Sequence, residues 1–229
     1  MDTATLLREL ALKYNDEKYF VQDPIKFPKH FSRLYAEGKA SLQDVEISAV
    51  ISAHLAWGRR EMIVRDCERA HQEMKYSPME YIQKGVFRDE DKSLHRTVKW
   101  SDFAGICRRL QYFYSHSESL ELLTPNQIRT EIYGQKSDLK ATNKKIHMLR
   151  RWMVRDDGKV DLGVWKKIKP SELIIPLDVH VFHSAQKLGI TTRKSPDYKA
   201  SIEITEYLNS VFGDDPTLGD FALFSLDLL

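Results

Sequence analysis

The sequence predicts an all-α protein. Apolar residues recur at helical spacing along most of the chain, and no segment sustains the two-residue alternation of a half-buried strand. Helix breakers are sparse: 10 glycines and 8 prolines in 229 residues. A first helix is expected from about Ala4 to Tyr14, then a looser segment around Asp23-Pro24 and a short helix over Pro28 to Tyr35. Ser41 is placed to cap a strongly apolar helix carrying Leu42, Val45, Ala49, Val50, Ala53 and Leu55, with Gly58 closing it. Helices follow over Glu61 to Met74, Pro78 to Gln83, Trp100 to Ser115, Pro125 to Tyr133 and Asn143 to Val154. Asp156-Asp157-Gly158 marks a turn, and a short piece over Leu162 to Ile168 leads to Ser171. Asp178 opens a helix that Gly189 stops, and Tyr198 to Phe212 and Pro216 to Leu228 complete the series. The apolar run Phe221 to Leu229 is expected to pack into the core.

Composition narrows the function classes. The chain is 42% hydrophobic and 30% charged, its apolar runs are far too short for a bilayer, and no signal-peptide pattern follows Met1. A cytoplasmic protein is the expectation. Cys67 and Cys107, far apart in helical sequence, read as reduced, buried thiols. The net charge of +2 is uneven: Lys136 to Lys169 holds eleven Lys or Arg against four Asp, giving that segment +7. Such a stripe suits a phosphate backbone or, more plainly, a solvated helix face.

The richest segment is Ile174-Ile175-Pro176-Leu177-Asp178-Val179-His180-Val181-Phe182-His183. An apolar run and a proline deliver one carboxylate to a helix start, where it can accept bonds from free first-turn amides. The helix behind it aligns Val181, Ala185 and Leu188 on one face. This is enough structure for a cap, and it is also what a catalytic carboxylate requires. Upstream, Thr142-Asn143 is placed to cap the helix of Lys144-Lys145-Ile146-His147-Met148-Leu149. Lys144 would then sit in the first turn, where the positive helix end disfavours an ammonium. His180 and His183, three apart, have no clustered third ligand, so no zinc site is expected.

Pro176-Leu177-Asp178-Val179-His180-Val181, with Lys187-Leu188-Gly189 behind it, resembles the signature segment of the helix-hairpin-helix base-excision DNA glycosylases, in which the aspartate is catalytic. The lysine-bearing helix start at Lys144 resembles that of the endonuclease III-like members. Ala56-Trp57-Gly58-Arg59-Arg60, Arg151-Trp152-Met153-Val154-Arg155 and Phe221-Ala222-Leu223-Phe224 are similar to an uncharacterised bacterial branch of that superfamily, over roughly Ser41 to the C-terminus. Where relatives carry a glycine-rich Leu-Pro-Gly-Val-Gly hairpin, Gly134 to Asn143 has one glycine and many charges. The 34 positions from Lys144 to Asp178 are closest to the archaeal oxoguanine enzymes.

The resemblance implies a two-lobed helical fold with an interlobe cleft, residues 41–140 forming a central lobe and residues 1–40 with 141–229 the other. It implies a base-excision glycosylase, with AP lyase activity, acting on duplex DNA that contains a damaged base, oxidised guanine being the expected lesion. Lys144 is carried over as the nucleophile, with Lys145 as the fallback, and Asp178 as the acid that stabilises charge on the sugar. His54 falls on the family's DNA-entering glutamine, Trp57 is placed to stack on an extruded base, and Arg59, Arg60, Lys166, Lys167 and Lys169 are candidate phosphate contacts. Each has a plainer alternative: core for His54 and Trp57, a cap for Asp178, exposed charge for the rest. No four-cysteine cluster can be assembled, so no iron–sulfur cofactor is expected, and a monomer is the expected state. Two other readings stand beside it: a DNA-binding protein of this fold without catalysis, and a helical module for an acidic protein partner.

Overall fold

The computed structural model describes residues 2–226. It is predominantly helical, with one two-stranded ribbon. The helices are α1 (Thr3–Tyr14), α2 (Lys26–Ala36), α3 (Leu42–Leu55), α4 (Arg60–Glu73), α5 (Pro78–Lys84) and α6 (Trp100–Tyr114), then the single turn α7 (Pro125–Gln127). They continue with α8 (Lys144–Val154), α9 (Val179–Lys187), α10 (Tyr198–Phe212) and α11 (Leu218–Ser225). The expected helix reaching Leu228, and the packing expected through Leu229, extend beyond the described residues; within them Phe221, Ala222 and Leu223 are buried.

Three local expectations are corrected. Strands β1 (Ser93–His95) and β2 (Val98–Lys99) pair antiparallel, with Arg96 at φ 53° in the turn. No Asn-Gly or Gly marks this ribbon, so the sequence hides it. The expected helix from Pro125 to Tyr133 is a capped α-turn that widens into a π-turn over Ile128–Ile132. Leu162 to Ile168 is extended chain rather than a helical piece, its amides strapped to the end of α8: Leu162 N donates to Trp152 O at 2.7 Å and Trp165 N to Met153 O at 2.8 Å. Gly163 sits at φ 59°, and a Cβ there would collide with Asp156.

The chain divides into two compact units, one over Phe20–Ser137 and one joining the segment up to Tyr19 with the chain from Asp138 on. Residues 20–40 therefore group with the central part, where the sequence reading had placed them with the C-terminal part. The reason is α2, which packs on α3. In that central unit α3 is buried almost all round, as its lack of a polar face demands. Ser41 and Asp44 close a capping box at its start: Asp44 N donates to Ser41 Oγ at 3.1 Å and Ser41 N to Asp44 Oδ2 at 2.8 Å. Buried Glu46 accepts from Tyr114 Oη, Ser119 Oγ and the Leu120 amide, tying the loop after α6 to α3. Buried His71 bonds to Ser48 Oγ and to the Cys67 carbonyl and stacks on Phe27 at 4.6 Å.

The second unit is built on an apolar cluster from α1, α9, α10 and α11, including Leu7, Ala11, Val181, Phe182, Ala185, Ile204, Leu208, Ala222 and Leu223. Beside it runs a buried chain of charges. Arg155, the cap of α8, grips Asp215 with two nitrogens and reaches Asp157 and Asp161 as well. Asp161 also accepts from Arg151 Nε at 3.3 Å, and Arg151 Nη1 is paired with Asp220. Phe221 lies beneath both guanidinium groups, 4.6 and 5.2 Å from its ring centre. Burial works against the Arg155 charge, but Asp161 and Asp215 outweigh it and raise its pKa.

Two stability predictions follow from these buried groups. Removing one partner of a buried ion network strands the others, at a cost of about 3–5 kcal/mol. Arg155→Ala should lose that much in urea unfolding, whereas Asp215→Asn, at a partly exposed carboxylate, should lose far less. Burial lowers the His71 pKa from 6.5 to about 4, so its neutral form is favoured in the fold. Its contribution is fully present above pH 6.5 and is lost as pH falls toward 4, because the unfolded chain takes up the proton first. Between pH 7.5 and 5 the wild type should lose about 2 kcal/mol more than His71→Phe, read from denaturation at each pH.

Candidate functional site

Lys144 is the first residue of α8, and Asp178 is the cap of α9. Both belong to the second unit. The Lys144 Nζ lies 3.0 Å from Asp178 Oδ2, although 34 positions separate them in the chain. The other oxygen, Asp178 Oδ1, accepts the Val181 amide at 3.0 Å, so the carboxylate caps its helix and holds the amine at once. The two side chains are 35% and 21% exposed, enough for a ligand to reach them. Burial pulls the Asp178 carboxyl upward, but the Lys144 charge and the Val181 amide prevail and hold it below the usual carboxylate range.

The geometry behind this pair is set on both sides. Ile175, Pro176 and Leu177 are buried before Asp178, and Val181, Phe182 and Ala185 after it, so the acid has little freedom. Asn143, directly before α8, has φ 47°, the left-handed conformation that asparagine tolerates better than most residues. It occupies the turn where a glycine would ordinarily sit. The expected side-chain cap from Asn143 is not made, because a left-handed residue does not present its side chain to the first-turn amides. The helix start itself stands where it was expected.

Lys145 occupies the second position of α8. Burial, reinforced by the Lys144 charge, lowers its pKa to about 8. His147 is buried on the same helix, with burial and Arg150 lowering its pKa to about 3. Of the three lysines upstream of Asp178, all are exposed; Lys166 is paired with Asp156, and Lys169 opens a short 3₁₀ turn over Pro170–Glu172.

The remaining sequence candidates lie in the central unit. His54 is half-buried on α3, its ring 4.9 Å from that of Tyr133. The Trp57 ring carries the Arg96 guanidinium over its face at 4.5 Å and meets His95 edge-on at 5.5 Å. His95 in turn is fixed between Asp66 Oδ2 and the Trp57 carbonyl, each at 2.8 Å. Gly58 follows at φ 100°, with no room for a Cβ against Arg96. Arg59 is the exposed residue before α4, and Arg60 lines a cavity of about 610 Å³ with Lys26 and Arg65.

Three residues around the site escape a reading of the sequence alone. Arg151 and Arg155 count toward the +7 stripe, yet both are buried in ion pairs, so they are withdrawn from any phosphate contact. Asp220 is buried against Arg151 and is influenced electrostatically by both Asp178 and Lys144. The signal for the cations was present in the spacing. Lys144, Arg151 and Arg155 are seven and four positions apart and so share a helix face. Their partners, 60 and 69 positions away at Asp215 and Asp220, carried no such mark. Among the described residues no three His, Cys, Asp or Glu side chains are placed to hold a metal ion, and no helix is long and apolar enough to cross a membrane.

The double duty of Asp178 can be split by substitution. Asp178→Ala should cost about 1 kcal/mol for the lost cap, whereas Asp178→Asn keeps an acceptor for Val181 and should cost only a few tenths. Thermal unfolding of the two variants checks this; equal losses would mean that the Lys144 ion pair, not the cap, supplies the stability.

A family model described as "Protein of unknown function (DUF2400)" matches residues 23–141 and 124–229. No curated protein and no solved structure matches the chain. The family match covers nearly the whole sequence, and the chain belongs to the DUF2400 family.

Proposed function

We propose that the protein is a DNA repair glycosylase with AP lyase activity, excising a damaged base, with an oxidised purine as the expected lesion, from duplex DNA. The observation that carries the reading is the Lys144–Asp178 pair. An amine and a carboxylate from the starts of two helices meet at 3.0 Å, partly open to solvent, inside the two segments that resemble the glycosylase motifs. The reading brings with it the two-lobed helix-hairpin-helix type of fold.

In this reaction the target nucleotide leaves the stack, which places its sugar carbon C1′ against the amine. The Lys144 ammonium gives a proton to Asp178, and the freed nitrogen pair forms a bond to C1′. The N-glycosidic bond breaks, and the base departs with its electron pair and takes up the proton that Asp178 received, which restores the carboxylate. The sugar ring opens to a Schiff base on Lys144. Loss of a C2′ proton then expels the 3′-phosphate and cuts the strand. Asp178 also faces the positive charge that grows on the sugar as the base departs. Lys145, partly neutral near pH 8, is the alternative nucleophile, and separate variants of the two lysines decide between them.

Lys166, Lys167 and Lys169, exposed ahead of Asp178, supply phosphate contacts on the same unit. In the central unit His54 is assigned to the displaced stack, Trp57 to contact with a base, and Arg59 and Arg60 to the backbone. A cytoplasmic, DNA-associated monomer fits this role.

The test is borohydride trapping on duplexes bearing oxoguanine, other oxidised bases, uracil or an abasic site. The wild type should form a covalent adduct on at least one of them. Lys144→Ala should abolish the adduct while Lys145→Ala keeps it, and Asp178→Asn should slow base release by about a hundredfold or more. No adduct on any duplex, with gel-shift binding intact, would leave a DNA-binding protein without lyase chemistry.

A further inference from the structure

The β1–β2 ribbon is short, yet side chains hold the carbonyls of Ser93, Leu94 and Arg96. Arg69 donates from Nη1 to the Leu94 carbonyl at 2.6 Å and from Nη2 to the Ser93 carbonyl at 3.2 Å. Ser93 Oγ donates to the Arg96 carbonyl at 2.8 Å. Buried His95 ties the ribbon to the Trp57 carbonyl and to Asp66. The residue that this frame presents is Arg96. Its backbone is left-handed, at φ 53°, a conformation unfavourable for arginine that glycine adopts freely. Strain of this kind persists only where the surroundings over-determine it, and it clusters at ligand sites.

The electrostatics single out the same residue. Arg65, Arg69 and His95 converge on the buried Asp66 carboxylate. Arg96 has no carboxylate partner among the described residues. Its guanidinium lies over the Trp57 ring at 4.5 Å and against Gly58, where a Cβ would come within 2.6 Å of Nη1. A flat cation on an aromatic face is held in place without being neutralised, which leaves its N–H donors for an incoming anion. Arg59, exposed and directly after Gly58, puts a second cation on the same loop, and no side chain caps α4 where it begins at Arg60.

We propose that Arg96, supported by the Trp57 ring, is a phosphate-binding residue that holds a phosphodiester of the DNA strand at the loop between α3 and α4. The inference rests on the DNA-binding part of the reading above and not on its lyase step. It adds a contact from the ribbon, outside the segments that carry the glycosylase resemblance. Two parallel N–H bonds from one guanidinium match the two free oxygens of a phosphodiester, a geometry that the single ammonium of a lysine lacks. His95, Asp66 and Arg69 act only through the ribbon, as positioning residues that fix where Arg96 stands.

The experiment is binding of a short undamaged duplex, followed by fluorescence anisotropy over a series of salt concentrations. Each phosphate contact contributes about one to the slope of log affinity against log salt. Arg96→Ala should bind about tenfold more weakly at low salt, with the slope reduced by about one. Arg96→Lys keeps the charge and loses the planar fork, so its slope should stay near that of the wild type while affinity falls several-fold. Lys84→Ala, in the same unit but at a lysine paired with Glu80, should change neither. Wild-type affinity and slope in Arg96→Ala would overturn the proposal and leave the lyase reading to the trapping assay. Full affinity in Arg96→Lys would reduce Arg96 to a surface charge and overturn the proposal as well. The expected losses, with no covalent adduct on any duplex, would overturn the lyase step and leave the phosphate contact standing. A wild type that binds no duplex at all would overturn both.

Discussion

The second unit depends on one constraint: a buried guanidinium must be met by carboxylates. Arg155 is 1% exposed and Arg151 6%, and neither could remain there unpaired, because the desolvation of an isolated charge exceeds what any single packing contact returns. Asp161 answers both, one oxygen to each. Asp215 and Asp220, on either side of the start of α11, complete the pairing. Fixing those bonds fixes where the 156–161 turn and α11 lie against the end of α8. The apolar cluster then needs only to seat α1, α9 and α10 around that frame. The direction of α8, and so the place of Lys144 at its far end, is a consequence of ion pairing at its near end.

Comparison of the acids separates those enclosed by the fold from one left partly open to solvent. Glu46 is fully buried, with its oxygens occupied by Tyr114, Ser119 and the Leu120 amide. Asp44 serves Ser41 and the Met79 amide. Asp161 is sealed between two arginines. Asp178 is different: its cap takes one oxygen, its second oxygen holds a partly exposed lysine, and a fifth of the side chain meets solvent. A cap of this kind contributes about 1 kcal/mol, and an ion pair this exposed contributes no more than that. The fold could dispense with the pair at small cost.

Much of this was legible in the sequence, and the failures have a common cause. Local signals gave the helices, the Ser41 cap, the stop at Gly189 and the helix starts at Lys144 and Asp178, because each of these is decided within a few residues. Three features were not local. The β1–β2 ribbon turns on a left-handed Arg96, a residue type with no turn signature. α2 belongs with the central unit because of the helix it packs against, which its own periodicity does not name. Counting charges along Lys136 to Lys169 places Arg151 and Arg155 on an exposed basic stripe, since a count cannot see carboxylates 60 and 69 positions away. The same blindness hid Asp220.

The separation of buried and accessible cations along α8 has a physical logic. At the C-terminal end of the helix the cations are buried, saturated and rigid, and the carbonyl end of the dipole favours them there. At the N-terminal end two lysines sit where the dipole opposes their charge, after a left-handed Asn143. That end would be unfavourable in a helix that had only itself to stabilise. It is tolerated because the opposite end is anchored by the ion network and the flank by the apolar cluster, so the strain is confined to a few residues. A helix built this way can hold one amine against Asp178 and a second, desolvated one beside it without risk to the fold.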